Sequence, residues 1–149
     1  MENNTAFSVE TAEESSGFLL WQVTTVWQRE IKATLEPFGL SHSGFVILAS
    51  LLWFREHEME ATQTVIIKHT KLDKMTISKS LKSLQQSGYI LRSENENDTR
   101  AKTVILTQSG ASLAAEAIKS VEETDKRFFA TLSQNERGML NQMFVRLRG

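Results

Sequence analysis

Residues 73–110 read DKMTISKSLKSLQQSGYILRSENENDTRAKTVILTQSG. Asp73 is a helix N-cap residue: its side chain can accept hydrogen bonds from the first free backbone N–H groups. Behind it, Ile77, Leu81 and Leu84 fall at i, i+4 and i+7, an apolar stripe along one side of a helix. The opposite side carries Met75, Lys79, Lys82 and Gln86, flanked by Thr76, Ser78 and Ser83. Gly88 supplies a C′ residue that stops the helix. Two short strand patterns follow, 89–94 and 102–107, joined by the polar stretch 95–101, and together they predict a hairpin. A two-faced helix running directly into a β-hairpin is the second half of a winged helix-turn-helix.

The chain on either side completes the pattern. Val23, Val26, Trp27, Ile31 and Leu35 recur at helical spacing, predicting a first helix over 17–36 that Pro37 and Gly39 end. Ser41 caps a second helix over 42–55 that is apolar almost all round, which predicts deep burial. Residues 56–61 form a polar loop, and Thr62 caps a short third helix reaching residue 70. Beyond the hairpin, Thr107 caps a helix over 108–130. Ser133 and Glu136 have the spacing of a capping box opening the last helix, 134–148. The expected class is mainly α with a small β-hairpin (α+β). One domain is expected, with 41–107 the winged helix-turn-helix DNA-binding region and 17–36 and 108–149 the dimerisation helices.

Bulk properties agree with this reading and exclude others. A length of 149 residues suits one core. The absence of cysteine removes disulfides, thiolate redox chemistry and cysteine-bound zinc. The net charge of −1 hides an uneven distribution. Residues 1–62 hold three basic and nine acidic residues, net −6; residues 63–103 hold eight and four, net +4; residues 104–149 hold six and five, net +1. Positive charge therefore gathers where the helix and hairpin lie, as binding to a polyanion requires. Residues 1–16 are acidic and polar, without the basic and apolar run of a secretory leader. The longest apolar stretch, 45–54, is too short for a bilayer, which needs about 20 residues. The expectation is a cytoplasmic protein with no membrane association.

The residue types on the outer face of the fourth helix suit a DNA groove. Lys79 can donate to guanine acceptors, Thr76 and Ser78 can bond bases or phosphates, and Met75 with the Thr76 methyl can touch thymine methyls. Lys74 and Lys82 are placed for phosphates, which set position and affinity but not sequence. Arg100, at the hairpin tip, can enter a narrow minor groove, with Asp98 holding a basic neighbour or forming an Asx turn. Thr62 and Thr64 at the start of the third helix, with Ser83 and Lys102, complete the expected DNA-binding set.

Three stretches in this region, DKMTISKSLKSLQQSGYILR, the wing DTRAK and LTQSG at 106–110, resemble the MarR family of bacterial winged-helix regulators. The likeness is strongest over 73–110 and extends by element order over about 17–147. It implies a homodimer joined by its terminal helices, the fourth helix in the major groove and Arg100 in the minor groove. It also implies, for many members, release of DNA by a small, often aromatic and anionic, effector bound between the dimer and DNA-binding regions. Trp21, Trp27, Phe45 and Trp53 are the candidate effector contacts, against the plainer expectation that aromatics at helical spacing form core or dimer interface. The chain departs from the family pattern at Thr70, where an apolar residue is common, and at Lys71, where the turn often has glycine. The redox-sensing members use a cysteine that this chain lacks.

Other features stay in the background. His42, His57 and His69 form no H-x-x-x-H pair, so no metal site and no cofactor is expected. Glu56, Glu58 and Glu60 read as a solvated loop. No nucleophile–base set, phosphate loop or dinucleotide fingerprint occurs, so the chain is not expected to be an enzyme. The leading function is sequence-specific double-stranded DNA binding as a homodimeric repressor on a pseudo-palindromic site. The rival is a winged-helix protein–protein module that antagonises another regulator, which the acidic first third would suit.

Overall fold

In the computed structural model, which describes residues 5–94 and 102–149, each capping residue named above opens the helix assigned to it. The helices are α1 (Ser16–Leu35), α2 (His42–Glu56), α3 (Gln63–Thr70), α4 (Lys74–Gln86), α5 (Gln108–Phe128) and α6 (Gln134–Arg148). Strands β1 (Ile90–Glu94) and β2 (Lys102–Leu106) pair antiparallel, with Ile90 opposite Leu106 and Arg92 opposite Val104. The side-chain oxygens of Ser41, Thr62, Asp73, Thr107 and Ser133 accept from the N–H of Gly44, Val65, Thr76, Gly110 and Glu136. At α6 the box closes reciprocally, the Glu136 side chain accepting from the Ser133 N–H at 2.9 Å. Among the described residues no single helix is long and apolar enough to cross a membrane.

The interior divides into two clusters. One lies under the helix–hairpin unit and gathers Ile47, Leu48, Leu51 and Phe54 of α2, Ile66 of α3, Ile77, Leu81 and Leu84 of α4, and Ile90 and Val104 of the hairpin. The other joins α1, α2 and α5 through Ile31, Leu35, Phe45, Ala117 and Val121. Leu40 and Ile118 pack against both, so the two regions are continuous. The expected all-round burial of α2 is only partly realised. Phe54 is buried, but Trp53 is 53% exposed and stacks on His57, ring centroids 3.9 Å apart. An unbroken apolar run does not mark its own inner face, and α2 spends one aromatic on the surface.

A hydrogen-bonded knot ties the hairpin to α5 and gives the LTQSG stretch a physical meaning. The Thr107 Oγ1–H donates to the Gly88 carbonyl at 2.7 Å, and the same oxygen accepts from the Gly110 N–H at 3.1 Å. The Thr107 N–H donates to the Tyr89 carbonyl at 3.1 Å. A Cβ on Gly110 would lie 2.0 Å from that Tyr89 oxygen, so no side chain fits there.

Candidate nucleic-acid interface

The fourth helix is held at four points. Its N-terminus is held by the Asp73 carboxylate, whose Oδ1 accepts the Thr76 N–H at 2.8 Å and whose Oδ2 accepts the Thr76 hydroxyl at 2.7 Å. These bonds hold the Asp73 carboxyl below its ordinary range, so the cap stays ionised at neutral pH. From α2, Ser43 Oγ meets Ser80 Oγ at 3.0 Å. From α3, Gln63 Nε2–H donates to Ser78 Oγ at 3.1 Å. At its far end Arg92 of β1 donates through Nε to Gln85 Oε1 at 2.8 Å, fastening the hairpin to the helix. Gln63, Ser43, Arg92 and Gln85 escaped the sequence reading, because pairings across 7 to 37 residues leave no local pattern.

The turn before α4 accommodates both family departures. Lys71 adopts the left-handed conformation at φ 63°, the geometry that glycine fills without strain. Its N–H reaches the Ile67 carbonyl at 3.0 Å. Thr70 donates its hydroxyl to the Ile66 carbonyl at 2.7 Å and accepts the Leu72 N–H at 3.3 Å. A polar residue thereby satisfies itself locally where an apolar one is common.

With the helix so held, its two faces separate cleanly. Ile77 and Leu81 are fully buried and Leu84 nearly so, while Met75 is 83% exposed and Lys79, Lys82, Ser83 and Gln86 are exposed beside it. Lys74 and Ser78 are exposed and Thr76 is half-buried. Among the described residues, Lys74, Lys79 and Lys82 enter no ion pair, so their charge is available to a partner. Thr64 is exposed at the start of α3, whereas the Thr62 hydroxyl is already engaged as the α3 cap, accepting from Val65 N–H at 3.2 Å. Lys102 is exposed at the start of β2. Asp98 and Arg100 lie outside the described residues.

The four candidate effector residues do not converge. Trp21 is 70% exposed on α1 and Phe45 is part of the core. Trp53 is on the surface, and none of the four lines the described clefts, which are formed by other residues. Trp27 has a different partner: its Nε1–H donates to Asp125 Oδ1 of α5 at 2.8 Å, and its ring meets the edge of His42 at 5.1 Å. His42 is half-buried there. Burial holds its imidazole below the ordinary value, with Asp125 acting in the opposite direction.

This geometry has close counterparts among known proteins. Residues 36–135 match the family described as "ArnR1-like, winged-helix domain". The chain is 35% identical over 122 residues to the HTH-type transcriptional regulator YdcH of Bacillus subtilis, an alignment covering 82% of this chain and 83% of YdcH. It is 26% identical over 131 residues to the HTH-type transcriptional repressor Rv2887 of Mycobacterium tuberculosis, covering 88% and 91% of the two chains. Among solved structures it resembles BpsR of Bordetella bronchiseptica, whose DNA binding is regulated by 6-hydroxynicotinic acid. The TM-score is 0.83 at 21% identity, over 94% of this chain and 97% of BpsR.

Proposed function

The chain belongs to the ArnR1-like winged-helix family and is a DNA-binding transcriptional regulator of the MarR type, and from that membership we propose that it acts as a homodimeric repressor on a pseudo-palindromic operator. The observation that carries this reading is the opposed pair of stripes on α4: a fully packed apolar side and, across the helix, Met75, Lys79, Lys82 and Gln86 free in solvent. A surface helix needs no such fixation at both ends, whereas a helix that inserts into a major groove must hold its side chains in register.

Lys79 and Thr76 face the base edges; Lys74, Lys82, Ser83, Thr64 and Lys102 face the phosphates; the D-x-R sequence of the wing assigns Arg100 to the minor groove. Residues 41–107 form the DNA-binding region, and α1, α5 and α6 form the dimer. The exposed apolar side chains of α6, Met139, Met143, Phe144, Val145 and Leu147, support that assembly, as do Leu20, Val23 and Val26 of α1. Covering them takes an interface above about 2,000 Å². The two-fold axis then sets half-site centres about 10 base pairs apart. Repression follows the name that Rv2887 carries. Release by a small aromatic or anionic effector follows the behaviour of BpsR. A cytoplasmic location follows from the work of a DNA-binding regulator.

Selection of bound fragments from a random double-stranded DNA pool tests the reading. The expected result is a pseudo-palindromic consensus. Lys79→Ala then relaxes preference at one position per half-site, while Lys82→Ala weakens all sequences alike and lowers the salt slope by about one unit. Arg100→Ala costs about 1–3 kcal/mol of binding. Recovery of no consensus overturns the proposal.

A further inference from the structure

The bonding of Asp73 and Thr76 narrows what the first turn of α4 can read, given the assignment of that helix to a major groove. Thr76 has one hydroxyl proton, and it is donated to Asp73 Oδ2 at 2.7 Å. The carboxylate that holds it is ionised and is tied through its other oxygen to the Thr76 N–H. Thr76 therefore offers no donor to a purine N7 or O6. What remains of it is a methyl group and an oxygen lone pair. One residue earlier, Met75 presents a thioether at 83% exposure, an apolar surface with no donor at all. The cations of this face begin a turn further on, at Lys79.

Of the four bases, only thymine carries an apolar group in the major groove, its 5-methyl. Guanine and adenine ask for a donor at N7, and cytosine offers an amino group that needs an acceptor. A Met75–Thr76 surface without a free side-chain proton leaves the purine acceptors unsatisfied; the Thr76 lone pair alone would suit a cytosine amino group, but the thioether and the methyl, the larger part of the surface, match only thymine. We propose that Met75 and the methyl of Thr76 form a thymine-methyl contact in each half-site, beside the base that Lys79 addresses. Lys74, Lys79 and Lys82, unpaired among the described residues, supply the charge complementarity that brings the duplex to this surface.

The test changes one methyl group at a time. Each thymine of the site selected from the random pool is replaced by deoxyuridine at the symmetric positions of both half-sites. Affinity is then measured at fixed salt for the wild type, Met75→Ala, Thr76→Ser and Lys79→Ala. Thr76→Ser keeps the hydroxyl that Asp73 holds and removes only the methyl, and Met75→Ala leaves a good helix former at an exposed position. Burying one methyl is worth about fourfold, so loss of both should weaken wild-type binding about 15-fold at one symmetric position. Met75→Ala and Thr76→Ser should each lower that discrimination, and Lys79→Ala should retain it. Equal affinity for thymine and deoxyuridine at every position, or discrimination unchanged in both variants, overturns the contact while leaving groove binding by α4 intact. A wild type that selects no DNA overturns the groove assignment itself, and the contact with it.

Discussion

The helix–hairpin unit and the terminal helices answer the same hydrophobic pattern in opposite ways. In α4 each apolar residue of the inner stripe, Ile77, Leu81 and Leu84, reaches the core, and its caps and side-chain ties are all met within the chain. In α6 no residue is buried, although five large apolar side chains are exposed along it. The first half of α1 behaves like α6: Phe18, Leu19, Leu20 and Trp21 are exposed, and burial begins only at Ile31. A pattern complete in one chain specifies a fold; a pattern left open is the surface that the proposed dimer would cover.

The strongest contrast comes from truncating matched residues. Leu81→Ala removes a fully buried side chain and should cost about 2–5 kcal/mol of stability, read as a lower urea midpoint at every protein concentration. Phe144→Ala on α6 should instead act through association, so its effect on the thermal midpoint grows as the protein is diluted. A concentration-independent loss for Phe144→Ala would break the comparison. Charge is a sharper probe of the open pattern. Leu20→Asp with Met143→Asp should raise the dissociation constant of the proposed dimer by about 30-fold, as loss of about 2 kcal/mol requires. Sedimentation should show folded monomer with unchanged helix content by circular dichroism; an unaltered dimer would remove these faces from the interface.

His42 lies at the seam of the two regions, between Trp27 of α1 and Asp125 of α5. Its pKa is lower in the folded chain than its ordinary value of 6.5. The unfolded chain therefore binds more protons across that range, and the contribution of His42, fully present above pH 6.5, is lost as pH falls through the folded value. Stability measured from pH 7.5 to 5 should fall, and His42→Gln should flatten the slope. The smallest effect is expected at Lys71, whose left-handed backbone favours glycine. Lys71→Gly should raise stability by about 0.5–1 kcal/mol, the strain relieved exceeding the entropy lost. A decrease would mean that the lysine stem packs usefully at the turn.

The fold was legible because its punctuation is local. Ser41, Thr62, Asp73, Thr107 and Ser133 each act within three residues, and the α4 stripe declares its own inner face. Residues whose roles depend on distant partners were not legible. His42 resembles any polar helix start until Trp27 and Asp125 close over it, and Trp53 cannot be told from its buried neighbours in an unbroken apolar run. The proposed DNA-facing set rests on residue chemistry that the sequence displays, whereas the commitment of the Thr76 proton to Asp73 was visible only in the folded geometry.

The knot at Gly88, Tyr89, Thr107 and Gly110 has a mechanical consequence. It clamps the hairpin to the first turn of α5, and α5 runs 21 residues from there, a rod about 31 Å long at ~1.5 Å per residue. Trp27, Thr34 and the core around Val121 grip that rod near its other end. Gly110 leaves no slack at the clamp, so the rod and the hairpin turn together. A tilt of about 5° at one end therefore becomes a displacement of about 3 Å at the other over that length, comparable to the spacing between stacked base pairs. In the proposed dimer, the distance from one hairpin to the other would then follow the angle at which α5 is held.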